Sequence, residues 1–595
     1  MGAAIKQLAF LSPQQIDVFK SVLGELPYNV VWKWDNETMD EKPDNVFISS
    51  WINQTAVLAQ YATHISAMKS VVFVIFFLVI GVVVPVRSSK ILFLSCTPAP
   101  SHQKPFQVIW KGLAEKGHEV HVLTPNPLEN STLPNLVQYN ISDLYEYIKT
   151  FTAGKSKYYL KKPTFIEAFV KDVYITVIFN RFYERCISHE ATQSILTNNK
   201  HFDAVIVEWL FPTLGGFAAH FRAPLIGITS LGAPLVSMDT VGNPGHPIIA
   251  PDMNLPLTRA MTFRERIFSG LYSIYVRIHY HLFVLPREDA LIKRHISNNL
   301  PYLGDIEKNI SLLLLNRNPV FHRVMPMNPA AVELGGIKFP KANQSLSPDL
   351  KRFLDGSKRG VIYFSLGSSM KAIYLTDDVI GSFQRVFRDL PYDVLWKWEN
   401  DTMAGKPDNV LINKWIPQVA ILEHPNVKLF ITQGGLQSTE EAIAAHKPII
   451  GIPFHSDQTS NVDTCVKYGM GKMLDLEDIT VERLRSYINE IMDNPSFAEN
   501  AKYLDDLMKD QPQDGLDKAI WWIEYVIRHK GAKHLRSIAV DMPWWQYMML
   551  DILAFLSAVF LSVLLTLYFS VRLLYILVNS IFKSKMKKGG KKKVQ

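Results

Sequence analysis

The sequence predicts an α/β protein: two halves, each a parallel sheet carrying helices, and a membrane-crossing helix near the C-terminus. Three stretches carry that prediction. Residues 427–432 form a short apolar run of strand type, followed by Gly434-Gly435 and by a helix-forming stretch that ends before Pro448. Residues 90–96 form a second strand of buried type. Phe106, Ile109, Trp110, Leu113 and Ala114 follow at helical spacing, Gly117 ends that helix, and residues 118–123 form the next strand. Residues 550–571 are apolar except for Asp551 and a few hydroxyl side chains, a length that spans a bilayer.

Length and composition set the bounds. A chain of 595 residues admits several domains, and 48% apolar content suffices for large cores and a membrane segment. The formal charge of +8 misleads, because seven lysines lie beyond Phe582; without them the balance is +1. No basic surface then argues for nucleic acid. Cys96, Cys186 and Cys465 make no disulfide framework. One bridge stays open, and buried free thiols are expected.

Residues 26–58 repeat residues 390–422 at an offset of 364. Val30-Val31-Trp32-Lys33-Trp34 corresponds to Val394-Leu395-Trp396-Lys397-Trp398, and Trp51 to Trp415. The first copy stops before any counterpart of Gly434-Gly435. It has no partner strands of its own and is expected to be poorly ordered or loosely attached. Met68-Lys69-Ser70, an apolar run at 71–84 and small residues after it read as a signal peptide over 68–89. The run is shorter than the ~20 residues a membrane span needs. Residues 1–67 are therefore expected to be a partial duplicate joined by a faulty gene model, with translation starting at Met68. A real extension that turns 71–84 into an internal anchor is the alternative.

In the front half, residues 90–340, His102 lies in the loop after the first strand. A lone loop histidine is ordinarily solvated, yet with a pKa near ~6.5 it can also serve as a base at neutral pH. Ligands in such sheets bind beyond the strand C-termini. The strand at 202–208 ends in Glu208, whose plain reading is a solvent-facing strand end. Residues 142–318 are rich in Phe, Tyr and Ile, which suits the wall of an apolar pocket. The Gly/Pro cluster at 241–247 reads as a turn without chemistry.

A connector at 340–348 leads to the rear half, 349–536, whose first strand and glycine turn lie at 360–368. Here stands Thr432-Gln433-Gly434-Gly435-Leu436-Gln437-Ser438-Thr439-Glu440-Glu441-Ala442-Ile443. The glycines let the backbone approach a ligand closely. Ser438 and Glu441 have capping-box spacing, and a helix start beside such a turn suits a phosphate. With Trp415-Ile416-Pro417-Gln418 before it and Asp457-Gln458 after it, this string resembles the donor-binding signature of the UDP-glycosyltransferases, in the wording of their insect branch. The resemblance runs from about residue 68 to the C-terminus.

That resemblance implies a GT-B fold: two Rossmann-like domains facing a cleft. It implies that His102 removes the acceptor proton and that Glu208, where many relatives carry aspartate, orients the imidazole. Trp415 would stack on uracil, Gln418 would bond the nucleoside and Glu441 the ribose. Gly434 and Gly435 would lie under the pyrophosphate, with Ser368 and Gln437 among the donor contacts. Asp457 and Gln458 would hold the sugar hydroxyls. Gln433 stands where vertebrate relatives place histidine, and Lys397 where they place arginine. Arginine grips a carboxylate bidentately and lysine does not, which favours UDP-glucose over UDP-glucuronate.

Residues 516–536 resemble the closing helices of membrane-bound members. Arg572 and the lysine-rich tail at 572–595 mark a cytoplasmic side, and Lys592-Lys593 fits a dilysine retrieval signal. Sequons at Asn130, Asn140, Asn309, Asn343 and Asn400 suit a lumenal body. The implied protein is an inverting glycosyltransferase of the endoplasmic reticulum membrane, single-pass type I, with its catalytic domains lumenal. It would move a sugar from UDP to a hydroxyl of a small lipophilic acceptor. The UDP-sugar is a co-substrate; no cofactor or metal is expected, and homo-oligomerisation stays open. The alternatives are a glucuronosyltransferase or a catalytically silent, membrane-held binder of lipophiles. A nicotinamide oxidoreductase lacks support, because Ser95-Cys96-Thr97-Pro98 replaces the glycine-rich opening.

Overall fold

The computed structural model describes residues 13–25, 30–33, 42–49, 88–129, 131–152, 165–198, 201–337, 346–368 and 370–590. The apolar run of the expected signal peptide, most of the connector, sequons Asn130 and Asn343 and the last five residues lie outside these. The chain divides into two units, 1–86 and 87–595.

The first unit corrects one expectation. It holds a helix, α1 (Pro13–Gly24), and two strands, β1 (Val30–Lys33) and β2 (Val46–Ser49), which pair in parallel. The partial copy therefore does contain its own strand partner. A backbone ladder needs only two neighbouring strands, and the duplicated stretch carries both, together with the side chains that pin their connection. Lys42 Nζ donates to the carbonyls of Pro43 and Val46, and Asn45 Nδ2 to that of Leu23.

In the second unit, the front sheet comprises β3 (Lys90–Leu94), β4 (Glu119–Thr124), β5 (Leu136–Asn140), β6 (Ala204–Glu208), β7 (Leu225–Thr229), β8 (Ile310–Leu315) and β9 (Ala331–Glu333). Its order is β5-β4-β3-β6-β7-β8-β9, parallel throughout. The central strands are buried on both faces, which is why they read as continuous apolar runs. The front helices used below are α2 (Pro100–Glu115), α3 (Phe165–Ser188) and α4 (Phe263–His279).

The rear sheet comprises β10 (Val361–Ser365), β11 (Asp393–Lys397), β12 (Val410–Asn413), β13 (Val427–Thr432), β14 (Ile449–Gly451) and β15 (Gly471–Met473). It is also parallel, in the order β12-β11-β10-β13-β14-β15. Its helices include α5 (Asp377–Asp389), α6 (Leu436–Ala444), α7 (Gln458–Lys467) and α8 (Gly515–His529). The first-unit pairing Val30↔Val46 to Lys33↔Ser49 has the same register as Val394↔Val410 to Lys397↔Asn413. The locking bonds recur too, from Lys406 to Pro407 and Val410 and from Asn409 to Phe387. The duplication even reaches back to a helix, since α1 and α5 correspond at the same offset. The sequence hid this because little beyond Ile16/Ile380, Phe19/Phe383 and Val22/Val386 is kept.

Strand order reverses direction between β3 and β6 in the front sheet and between β10 and β13 in the rear sheet. Such switch points open a crevice beyond the strand C-termini. α8 crosses back onto the front half, and Ala519, Ile520 and Ile523 join its core. Gly112 of α2 makes room for it: a Cβ there would lie 2.9 Å from Ile520 Cδ1.

The cysteine expectation is also corrected. Cys96, just beyond β3, is disulfide-bonded to Cys186 of α3, and only Cys465 is a buried free thiol. Packing α3 over the sheet brings together two cysteines 90 residues apart. At the C-terminus, α9 (Leu550–Gly590) is 41 residues long, about 60 Å at 1.5 Å per residue. It is long and apolar enough to cross a membrane. It continues through Arg572, so the expected boundary at 571 marks a charge and not the helix end.

Candidate active site

His102 lies in the first turn of α2, not in the loop expected. Pro100 opens that helix at a position whose N–H would have no partner anyway. The imidazole Nδ1 is 2.8 Å from the Ser230 hydroxyl, just beyond β7. Glu208, at the end of β6, is fully buried and does not face solvent. Its Oε2 accepts from Ser95 Oγ at 2.9 Å and from the Thr97 N–H at 3.2 Å. Its Oε1 lies 3.9 Å from His102 Nδ1 and has no hydrogen-bond partner among the described residues. The direct carboxylate–imidazole bond expected from the sequence is thus replaced by a serine contact. The reason is that the carboxylate is anchored through its other oxygen to Ser95 and Thr97. Burial lowers the His102 pKa to about 4 and raises that of Glu208. The imidazole is neutral at physiological pH. When Nδ1–H donates to Ser230, the basic lone pair is on Nε2.

The rear site is built on the turn after β13. Gly434 has φ +80°, and a Cβ there would lie 2.3 Å from Val462 Cγ2, so glycine alone fits. Gly435 is the N-cap of α6, and no side chain caps the helix. The expected Ser438/Glu441 capping box does not form. Ser438 lies inside the helix and accepts from Gln418 Nε2 at 2.9 Å. The Glu441 carboxylate accepts from Gln418 at 2.7 Å and from Lys104 at 3.1 Å. With both Glu441 carboxylate oxygens engaged by Gln418 and Lys104, neither caps the start of α6, an end of the helix that suits an anion.

The other predicted donor residues line the same rim. The Gln433 side chain is buried against Gly367, where a Cβ would come within 2.5 Å of its Nε2; its Oε1 has no partner among the described residues. Ser368 is exposed in the turn after β10. Lys397 ends β11 and is paired with Glu399 at 2.8 Å, so its charge is already neutralised. Trp415, beyond β12, is 64% exposed, an open aromatic face at the rim. Gln418 also accepts from the Tyr363 hydroxyl at 3.2 Å, which engages both ends of its amide. Asp457 stands at the N-cap position of α7 without a side-chain cap bond and accepts from Asn461 Nδ2 at 2.8 Å; the same amide donates to the Gly434 carbonyl at 3.0 Å. Burial raises the Asp457 pKa to about 6. Gln458 accepts from the N–H groups of Phe454 and His455, which shapes the loop before Asp457.

Two contacts bring the rims together. Gln437 Nε2 donates to the Ser230 carbonyl at 2.9 Å, and Lys104 of α2 reaches Glu441. The serine beside the histidine is thereby tied to the helix that follows the glycine turn. A cavity between the halves is lined by Gly232, Asp252, Leu257, Arg317, Asp457 and Asn461. Next to it, Phe268, Tyr272, Val276, Leu255 and Leu257 form an apolar cluster of their own, with Phe169 packed against it.

A family profile described as "UDP-glucoronosyl and UDP-glucosyl transferase" matches residues 90–588. The chain belongs to this family. UDP-glycosyltransferase UGT5 of Dactylopius coccus is 33% identical over 476 residues, 78% of this chain and 87% of the relative. The ecdysteroid UDP-glucosyltransferase of Spodoptera littoralis nuclear polyhedrosis virus is 30% identical over 481 residues, 78% of this chain and 93% of the relative. UDP-glucuronosyltransferase 1-2 of Rattus norvegicus is 27% identical over 478 residues, 79% of this chain and 88% of the relative. Among solved structures, the glycotransferase of kitacinnamycin is similar at a TM-score of 0.49 and 17% identity, over 74% of this chain and 99% of that one. The two facing parallel sheets are the GT-B arrangement, and the chain is a glycosyl-transferring enzyme.

In this UDP-glycosyltransferase the sequence reading missed Ser230, Lys104, Asn461 and Glu440. Asn461 follows Asp457 by one helical turn, a spacing that could have marked it. Glu440 has both carboxylate oxygens without a partner among the described residues, and burial raises its pKa to about 8. Ser230 and Lys104 belong to no motif: the serine meets His102 only when the front sheet is assembled, and Lys104 meets Glu441 only when the halves meet.

Proposed function

We propose that this enzyme transfers glucose from UDP-glucose to a hydroxyl of a small lipophilic acceptor, with inversion at the anomeric carbon. His102 Nε2 takes the acceptor proton as the oxygen attacks. Ser230 holds the ring through Nδ1, and the Glu208 carboxylate steadies the imidazolium that forms. UDP departs from the opposite face of the sugar, its charge met by Gly434, Gly435 and the N-terminal end of α6. A single displacement inverts the configuration. Asp457 and Gln458 hold sugar hydroxyls, Trp415 stacks on the base, and Glu441 takes the ribose when Lys104 yields. Ser368 and Gln433 flank the phosphates. The UDP-sugar is a co-substrate, and the mechanism calls on no cofactor or metal. α9 anchors the enzyme as a single-pass type I protein of the endoplasmic reticulum, with both sheets lumenal.

The observation that carries this reading is the pair of bridges, Gln437 to Ser230 and Lys104 to Glu441, which hold the histidine rim against the glycine turn. Glucose is preferred over glucuronate because the one cation expected beside the sugar, Lys397, is spent on Glu399. Microsomes carrying the full chain, given radiolabelled UDP-glucose or UDP-glucuronate and a panel of phenolic and steroid acceptors, test both parts. Incorporation from UDP-glucose is expected to exceed that from UDP-glucuronate, and His102→Ala should lower it by about 100-fold or more. Wild-type turnover in His102→Ala removes the mechanism. Equal or greater use of UDP-glucuronate removes the donor assignment alone.

A further inference from the structure

The first turn of α2 is pinned to the front half by Gln103, which is fully buried. Its Nε2 donates to Ser95 Oγ at 2.7 Å and to the Thr97 carbonyl at 2.9 Å. Its Oε1 accepts from Thr124 Oγ1 at 3.0 Å. The residues on either side reach other partners: His102 meets Ser230, and Lys104 meets Glu441 of the rear half. On α6, Gln437 and Glu441 are four residues apart and share one face. That face takes the Ser230 carbonyl and Lys104 together. The turn that carries the proposed base is thus set against the helix that follows the glycine turn.

Lys104 and Glu441 are unequal partners. The lysine side chain is 44% exposed and the glutamate side chain 5%. An ammonium that open to water is a weak fastening between two halves. A carboxylate that buried is costly to leave without partners. Gln418 supplies one partner, to Oε2, and its own amide is held by Tyr363 and Ser438. Lys104 supplies the other, to Oε1 at 3.1 Å, from the end of a flexible four-carbon stem. Gln418 is therefore the fixed partner of Glu441, and Lys104 the movable one.

The chemistry of a ribose hydroxyl fits between these two groups. A hydroxyl has one O–H to donate and lone pairs with which to accept, and an ammonium has three donors. A hydroxyl that donates to Oε1 takes over the place of the ammonium on the carboxylate. Its oxygen then lies beside the same ammonium and accepts from it. The backbone of α2 stays where Gln103 holds it, because rotation of the lysine stem suffices.

We infer that Lys104 is a donor-binding residue supplied by the front half: on arrival of UDP its ammonium passes from Glu441 to the oxygen of a ribose hydroxyl. This rests on the reading of Glu441 as the ribose acceptor. Lys104 lies two residues beyond His102, so the turn that holds the base also grips the nucleoside.

Full-length enzyme in detergent micelles, loaded with tritiated UDP, tests this by displacement with UDP, 2′-deoxy-UDP or 3′-deoxy-UDP. The unaltered enzyme is expected to prefer UDP over at least one deoxy analogue by about tenfold or more. Lys104→Met keeps the stem and removes the charge, and should cut that preference to about threefold or less by weakening UDP. Glu441→Gln should cut it as well. Each preference is a ratio within one protein, so a partly unfolded preparation does not alter it. A preference kept in Lys104→Met, whether or not all three ligands weaken together, overturns the inference. It leaves Glu441 on the ribose and the lysine as a tie between the halves. Absence of any preference in the unaltered enzyme, or a preference unchanged in Glu441→Gln, removes the ribose reading and the inference with it.

Discussion

Burial acts on His102 and Asp457 in the same physical way and with opposite sign, because in each case it disfavours the charged form. It lowers the imidazole to about 4 and raises the carboxyl to about 6. As pH falls from about 8 to about 5, His102 stays neutral, while Asp457 takes up a proton and, in the proposed mechanism, loses an acceptor for the sugar. The ratio kcat/KM for UDP-glucose is therefore expected to fall below about pH 6 with the slope of one proton. In Asp457→Asn the activity is expected to be lower throughout and that limb to flatten. A limb still centred near pH 6 in this variant would assign it to another group. At this scale the sequence is readable only where a residue type implies its own chemistry. A histidine after a first strand does so. Ser230 does not, since a serine after the fifth strand of the front half has no meaning until it is found 2.8 Å from that imidazole.

Local segments were more legible. Strand, glycine turn and helix over 427–444 follow from apolar run, φ-permissive residue and stop, and the structure keeps all three. The capping box failed because the partners that claim Ser438 and Glu441 come from elsewhere: Gln418 from the segment before β13, and Lys104 from the other half of the molecule. Local spacing cannot report a competitor 337 residues away. The glycine turn itself offers a sharp test. Gly434→Ala meets Val462 and also requires φ +80° from a residue with a side chain. It is expected to destabilise the enzyme by about 2–4 kcal/mol, measured by thermal unfolding, and to abolish UDP retention. Adding Val462→Ala should recover the steric part only; full recovery would mean that the backbone conformation costs little.

For the whole molecule, the two-sheet architecture was legible because buried parallel strands write themselves as apolar runs between helical stretches. What was not legible is how completely the first unit reproduces the edge of the rear sheet, down to the register of β1 with β2. The repeated sequence at 26–58 stops before any counterpart of Gly434 or Asp457. Deleting residues 1–67 is expected to leave kcat and both KM values of microsomal enzyme unchanged; a fall of more than about tenfold would give the copy a role in catalysis. The Cys96–Cys186 bridge has a different reach. It fastens the segment leading to Thr97 and His102 onto α3, and Thr97 in turn grips Glu208. Removing it through Cys186→Ser should cost about 2–5 kcal/mol of stability, read as a lower melting temperature. Enzyme prepared in a reducing bacterial cytosol would then carry a slack front rim even with every residue correct. Two batches of identical sequence would differ in specific activity according to the oxidising power of the compartment that made them.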